Sequence, residues 1–249
     1  MKLLNSILLT LFIFTGCSQQ NLNTNNNSLQ NINKITECKV IENQKDKFAC
    51  HLEKANKGDI KSQNILASNY IKIKDYKNAL IWLDKASLKN DKIALRKLAY
   101  LYDLGHGVKK DKNKAFELFK KAALQGDIIA QNEIGFYYEM GWVVKKDYKT
   151  ALEWYVQTAK KENTYGLDKM GYFNAKGYSV PQNYVESYKW FKKSALKGSK
   201  YAMSWLGFFY EQGNGIDVDY AKAKALYEKS GSEFSKNRLK IMKEKRLIK

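Results

Sequence analysis

Hydrophobic positions along the 249-residue chain recur every 36 residues over four consecutive copies without a gap. This shift aligns Ala94, Ala130, Gly166 and Ala202, and likewise Leu98, Ile134, Met170 and Leu206. The same shift aligns Gly105, Gly141, Gly177 and Gly213, and then Val108, Val144, Val180 and Ile216. Within one copy, residues 92–104 carry apolar side chains three and four apart, the spacing of a helix with one buried face. Next to the Leu column, Ala99, Gly135, Gly171 and Gly207 keep the backbone bare enough for a neighbouring helix to approach closely. Gly105 and its equivalents follow the helix, where a left-handed residue ends it at little cost. Asp111, with Asp147, Asn183 and Asp219 in the same column, is a good N-cap for a second helix at about 112–125. That second helix carries a small column at Ala115, Ala151, Ser187 and Ala223. It also carries an aromatic column at Phe119, Tyr155, Phe191 and Tyr227 that fills the space between hairpins. Each unit is thus a helix–loop–helix hairpin that buries its apolar face only by stacking on the next. The expected fold is all-α, a right-handed superhelix (solenoid) of such hairpins.

The segments LAYLYDLGHGVKKDKNKAFELFKKAALQGD (98–127), IGFYYEMGWVVKKDYKTALEWYVQTAKKEN (134–163) and LGFFYEQGNGIDVDYAKAKALYEKSG (206–231) carry these columns in full. MGYFNAKGYSVPQNYVESYKWFKKSALKGS (170–199) departs at Asn174 and Pro181 but keeps the hydrophobic frame. SQNILASNYIKIKDYKNALIWLDKASLKND (62–91) matches the same columns with four residues fewer in its loop. Together they resemble the Sel1-like repeat, a relative of the tetratricopeptide repeat. The resemblance covers residues 62 to about 231, with repeats at about 62–91, 92–127, 128–163, 164–199 and 200–235. It implies a fold and leaves the ligand unspecified. Residues 34–61 read as a degenerate capping hairpin, since HLEKANKGD (51–59) echoes LDKASLKND (83–91). Residues 232–249 form a basic amphipathic helix suited to a polar C-terminal cap.

The start of the chain is patterned differently. Met1-Lys2 and the apolar run Leu3 to Phe14 have the form of a signal peptide, too short for a comfortable bilayer span of about 20 residues. Phe14-Thr15-Gly16-Cys17 resembles a lipobox, although Phe14 stands where that family usually has Leu. The resemblance implies lipidation at Cys17, with a plain signal peptide as the alternative. Ser18 after the cysteine is compatible with delivery to the outer membrane, facing the periplasm; secretion is the other destination. Residues 18–33 are rich in Asn, Gln and Ser and cannot bury enough apolar surface to offset their ordering entropy, so they read as a flexible tether.

Charge alters this picture little. The formal net charge is +19, yet Arg occurs only at positions 96, 238 and 246. Sites that read phosphate or bases favour Arg for its planar fork, and scattered Lys reads as a solvated helix surface. Weak attraction to anionic surfaces is expected, and no nucleic-acid partner.

With Cys17 set aside, Cys38 and Cys50 form an even pair in an exported chain, read as a disulfide across the capping hairpin. The alternative is a pair of free or metal-binding thiols. Only His51 and His106 could add ligands, so neither a zinc site nor any cofactor is expected. The Hcp-type cysteine-rich relatives of the Sel1 group place a Cys pair in most repeats, and some are described as penicillin-binding with weak β-lactamase activity. Here the repeats proper hold no cysteine. Ser194-Ala195-Leu196-Lys197 fits the S-x-x-K pattern of a serine β-lactamase, but Lys149-Thr150 is followed by Ala151 rather than the Gly of K-T-G. Ser194 also aligns with Ala122, Thr158 and Ser230, a column of packing residues. The expected role is therefore binding, with a β-lactam-binding protein or hydrolase as the alternative.

One further column carries the binding expectation. Tyr100, Phe136, Tyr172 and Phe208 recur beside the Gly/Ala column, and Arg96, Asn132, Asp168 and Ser204 form a varying polar row next to them. If the first helices line a concave face, as in tetratricopeptide proteins, these eight residues form a groove for a protein, a peptide or peptidoglycan, since aromatic residues dominate interface hot spots. Equally, the rings are core between helices.

Overall fold

The computed structural model describes residue 38 and residues 43–249. The expected signal peptide, Cys17, the expected tether and most of the first half of the expected capping hairpin lie outside the described residues. The chain divides into two units, residues 1–50 and 51–249. In the first, Cys38 and Cys50 are joined in a disulfide with their Cα atoms 5.8 Å apart.

Twelve helices and no strand are found among the described residues. They are α1 (Gln44–Asn56), which crosses the boundary between units, then α2 (Ile60–Lys72), α3 (Tyr76–Ser87), α4 (Lys92–Leu104), α5 (Lys112–Leu124) and α6 (Ile128–Met140). There follow α7 (Tyr148–Lys160), α8 (Thr164–Lys176), α9 (Tyr184–Leu196), α10 (Lys200–Gln212), α11 (Tyr220–Ser230) and α12 (Glu233–Glu244). From α2 to α11 they pair as five hairpins, each packed on the next, so residues 51–249 build the expected solenoid. The first hairpin opens at its N-cap Asp59, three residues before the sequence repeat becomes recognisable at 62.

Local chemistry marks the helix starts and the ends of the longer hairpins' first helices. Each helix from α2 to α12 starts at an Asp, Asn or Ser whose side-chain oxygen accepts a backbone N–H two or three residues on. Those oxygens satisfy donors that a helix start leaves without partners. The first helices of the four longer repeats stop at Gly105, Gly141, Gly177 and Gly213, with φ between 71° and 76°. The chain then returns through its second cap: Asp111 N–H donates to the Tyr102 carbonyl at 2.9 Å, and Asp219 N–H does the same to Tyr210.

The core lies where the bare column of a first helix meets the aromatic column of its second helix. A Cβ placed on Gly171 would sit 2.8 Å from the Phe191 ring, and on Gly207 2.7 Å from Tyr227. Phe119, Tyr155, Phe191 and Tyr227 are fully buried. Each also meets a ring of the next first helix, as Tyr155 meets Phe173 at 5.5 Å and Phe191 meets Phe209 at 6.0 Å. The expected aromatic filling between hairpins therefore also closes each hairpin on itself. At the C-terminus α11 is two residues shorter than α5, α7 and α9, and α12 follows at once from Ser232. Met242 of α12 is buried in one cluster with Tyr227, against which Leu247 and Ile248 pack, so α12 covers the last hairpin as an unpaired first helix.

Candidate functional site

The first helices present one face built from three columns spaced four and three residues apart, which places them on the same side of a helix. The second position of these helices holds Ile93, Ile129, Tyr165, Tyr201 and Phe234, which are 39%, 44%, 39%, 46% and 50% exposed. Four residues on come Lys97, Glu133, Lys169, Trp205 and Arg238. Three further on lie Tyr100, Phe136, Tyr172 and Phe208, all partly buried. The ring ladder is thus neither fully core nor fully exposed. Tyr100 lies edge-on to the core ring Phe119 at 4.9 Å, and its hydroxyl donates to Glu133 at 2.6 Å. Burial, reinforced by that carboxylate, pushes the Tyr100 phenol far up. Burial likewise raises Glu133 above the ordinary carboxylate range.

The polar row beside the ladder is engaged between repeats. Arg96 Nε donates to Asp127 at 3.0 Å, Asn132 Nδ2 to Asn163 at 3.0 Å, and Ser199 Oγ to Asp168 at 2.8 Å. Ser204 Oγ lies 2.9 Å from Ser232 Oγ. Asp127, Asn163, Ser199 and Ser232 are each the N-cap of the next first helix. The row therefore clamps each repeat to its successor, and its variation follows the identity of the caps.

A second clamp runs through buried carboxylates near the C-terminal end of the first helices. Glu139 accepts from the Tyr155 hydroxyl at 2.6 Å and from Lys169 of the following repeat at 2.7 Å. Two repeats on, Glu211 accepts from Tyr227 at 2.8 Å and from Arg238 at 3.0 Å. Asp103 accepts from Tyr137 and Lys112, both at 2.7 Å, and these bonds hold its carboxyl low against the effect of burial. In the repeat between Glu139 and Glu211 all three partners change together. Ala175 replaces the carboxylate, Phe191 the phenol and Trp205 the lysine.

Beside that exchange, where Ala175, Phe191 and Trp205 pack in one apolar cluster, lies a cavity of 750 Å³, within the range of about 300–1,000 Å³ usual for ligand pockets. Its apolar wall is formed by Ala175, Tyr184, Tyr201, Trp205, Phe208 and Phe234. Trp205 stacks on Phe191 with centroids 5.5 Å apart and planes 7° from parallel. Burial pushes the Tyr201 phenol up to about 12, so it stays neutral at physiological pH. Lys176 stands at the rim, its ammonium 5.7 Å from the Trp205 ring centre. Of the residues expected from sequence, Ser204 and Phe208 line this cavity, and Arg96, Tyr100, Asn132, Phe136, Asp168 and Tyr172 do not. Tyr201, Trp205, Phe234 and Lys176 escaped the sequence reading. Their signal was the triple departure of one repeat at positions 175, 191 and 205.

Ser194 is fully buried, and its hydroxyl donates to the Thr164 carbonyl at 3.2 Å. Lys197 points elsewhere and pairs with Glu162 at 2.7 Å. The pair packs and braces repeats and lacks the arrangement of a nucleophile and its base. Among the described residues no group of His, Cys, Asp and Glu could hold a metal ion, and no helix is long and apolar enough to cross a membrane.

Helical hairpins of this length, stacked through glycine–aromatic contacts and ending in a capping helix, define a helical-repeat solenoid. The particular family is Sel1: its repeat matches residues 69–91, 92–127, 128–163, 165–199 and 200–233, and the chain belongs to it. Among solved structures the chain is similar to a protective antigen present in uropathogenic Escherichia coli strains and displaying an SLR fold. That similarity has 28% identity and a TM-score of 0.76 over 90% of this chain and 53% of the antigen, so the chain spans about half its length. It is also similar to a Sel1 repeat protein from Oxalobacter formigenes, with 31% identity and a TM-score of 0.67 over 70% of this chain and 73% of that one. Helicobacter pylori cysteine rich protein B matches 51% of this chain and 92% of its own at 26% identity and a TM-score of 0.41. A search of curated proteins found no match.

Proposed function

We propose that this chain is a lipid-anchored scaffold of the bacterial envelope that binds a protein or peptide partner along the exposed face of its first helices. The observation that carries the reading is the row of exposed apolar side chains, Ile93, Ile129, Tyr165, Tyr201 and Phe234, one per repeat beside the half-buried rings. Contiguous exposed apolar surface rimmed by polar groups marks an interaction site, and aromatic residues supply much of the binding energy at such sites. Envelope attachment is supported by the apolar run ending at Cys17. The Cys38–Cys50 disulfide agrees with an oxidising compartment. An envelope protein, including one held on peptidoglycan, is the kind of partner expected.

The test is a crosslinked pull-down from intact envelopes with the wild type and with Ile129, Tyr165, Tyr201 and Phe234 all changed to Ser. A partner enriched by the wild type alone, with both proteins equally helical, supports the reading. Equal capture by both proteins, or capture by neither, contradicts it. Replacing Cys17 by Ser tests the anchor separately, because the reading requires the protein to leave the membrane fraction and to lose incorporated lipid label.

A further inference from the structure

We propose that the cavity between the third and fourth of the 36-residue repeats takes an acidic peptide segment of a partner protein, anchored by one large apolar side chain. This rests on the reading that the first-helix face binds partners, and it names what one part of that face selects. The neighbouring clamps bring together a carboxylate, a phenol hydroxyl and a cation, as Glu139, Tyr155 and Lys169 do. Here Ala175, Phe191 and Trp205 replace that polar set, and Ala175 and Trp205 join Tyr201, Phe208 and Phe234 in the wall of the adjoining cavity, so the group that fills it is apolar. Of the polar side chains on its wall, Gln182 and the serines are already engaged, and Asn214 is left to meet a ligand. Gln182 Nε2 donates to the Ala175 carbonyl at 2.8 Å and to the Tyr184 hydroxyl at 3.0 Å. Ser204 and Ser232 bond each other, and both bond Ser235. Few free donors and acceptors are therefore left for a glycan's hydroxyls, and a burial-driven peptide anchor suits the slot better than a sugar.

Charge sets the second requirement. Lys176 is exposed at the rim and, among the described residues, makes no ion pair. Its ammonium contacts only rings, those of Tyr172 and Trp205 at 5.9 and 5.7 Å. A carboxylate beside the peptide's apolar anchor completes that pair, and the chain's formal charge of +19 favours the approach of acidic segments.

The test is selection of displayed random heptapeptides on the immobilised full-length chain, followed by affinity measurement with a synthetic peptide of the enriched sequence. The expected peptides carry a large apolar residue with Asp or Glu within two positions. Their affinity falls about thirtyfold, as for loss of a hot-spot anchor, in the Ala175→Glu/Phe191→Tyr/Trp205→Lys variant, which installs the clamp of the neighbouring repeat. Tyr201→Ser/Phe234→Ser removes the exposed rings without touching that clamp and weakens binding in the same direction, which guards against misfolding of the triple variant. Lys176→Glu costs about threefold, as for one exposed ion pair, and abolishes the acidic preference. The inference is overturned if the enriched peptides lack acids, if they bind the clamp and ring variants unchanged, or if chitooligosaccharide displaces them. Peptides lost only in Ile129→Ser/Tyr165→Ser would overturn the slot and leave the broader reading standing. No enrichment on any form would sink both.

Discussion

Replacing Glu139 by Ala removes the acceptor shared by the Tyr155 hydroxyl and the Lys169 ammonium. The side chains of Lys169 and Glu139 are only 17% and 10% exposed, and Tyr155 is fully buried. Breaking a buried pair by deleting one partner costs about 3–5 kcal/mol, and a buried hydroxyl left without a partner contributes about 1–3 kcal/mol of such a loss. The rings of Phe136, Tyr155 and Tyr165, each already 5.5 Å from the ammonium, remain as its partners and keep the loss at the lower end of that range. The net expectation is a loss of about 3 kcal/mol. In urea, with a slope of about 3 kcal/mol/M, that moves the midpoint of the far-ultraviolet circular dichroism transition down by about 1 M. The structure supplies its own control. Glu139→Ala/Tyr155→Phe/Lys169→Trp copies the Ala175, Phe191 and Trp205 set and leaves no polar partner stranded, so it recovers most of the loss. A single variant that loses less than about 1 kcal/mol, or a triple variant as unstable as the single, refutes the clamp as described.

Three further outcomes are expected. Gly171→Ala gains up to about 1 kcal/mol of helix propensity, yet its Cβ meets the Phe191 ring at 2.8 Å; overpacking prevails and the variant is destabilised, with Phe191→Leu as the rescuing second change in thermal melts. Changing Cys38 and Cys50 together to Ser removes a cross-link between residues 12 apart and costs roughly 3 kcal/mol in the chain-entropy model, read as faster amide exchange in α1 and unchanged exchange in α8–α11. Glu133 has its folded-state pKa raised by burial, so its ionised form is penalised at neutral pH and the penalty fades as pH falls through that raised value. Glu133→Gln, which keeps an acceptor for Tyr100, is then more stable than wild type at neutral pH and equal to it below the ordinary value of 4.5; a variant less stable at pH 7 contradicts this.

Repeat length, caps and packing columns were legible because each rests on a local rule that recurs in four copies. Asp111 announces a helix start, Gly105 a helix stop and Phe119 a core ring wherever their equivalents fall. The polar row at Arg96, Asn132, Asp168 and Ser204 was visible as a column, but its partners were not. Those partners are caps lying 28 to 31 residues downstream, and such a pairing emerges only once helices are stacked. The cavity was hidden for a related reason. Ala175, Phe191 and Trp205 each look ordinary alone, and only their packing into one cluster, with Glu139, Tyr155 and Lys169 as the pattern they break, marks the apolar wall beside the cavity. The buried column of Ser194 shows the converse, a motif match that stacking explains completely.

That partners bind on the first-helix face is tested most directly by photo-crosslinking in living cells. A crosslinking amino acid would be placed singly at Tyr165, Tyr201 and Phe234 on that face, and at the exposed positions Glu117, Glu153 and Lys189 on the second helices. A common adduct is expected from the first three sites and none from the last three. An adduct formed only from the second helices would contradict it.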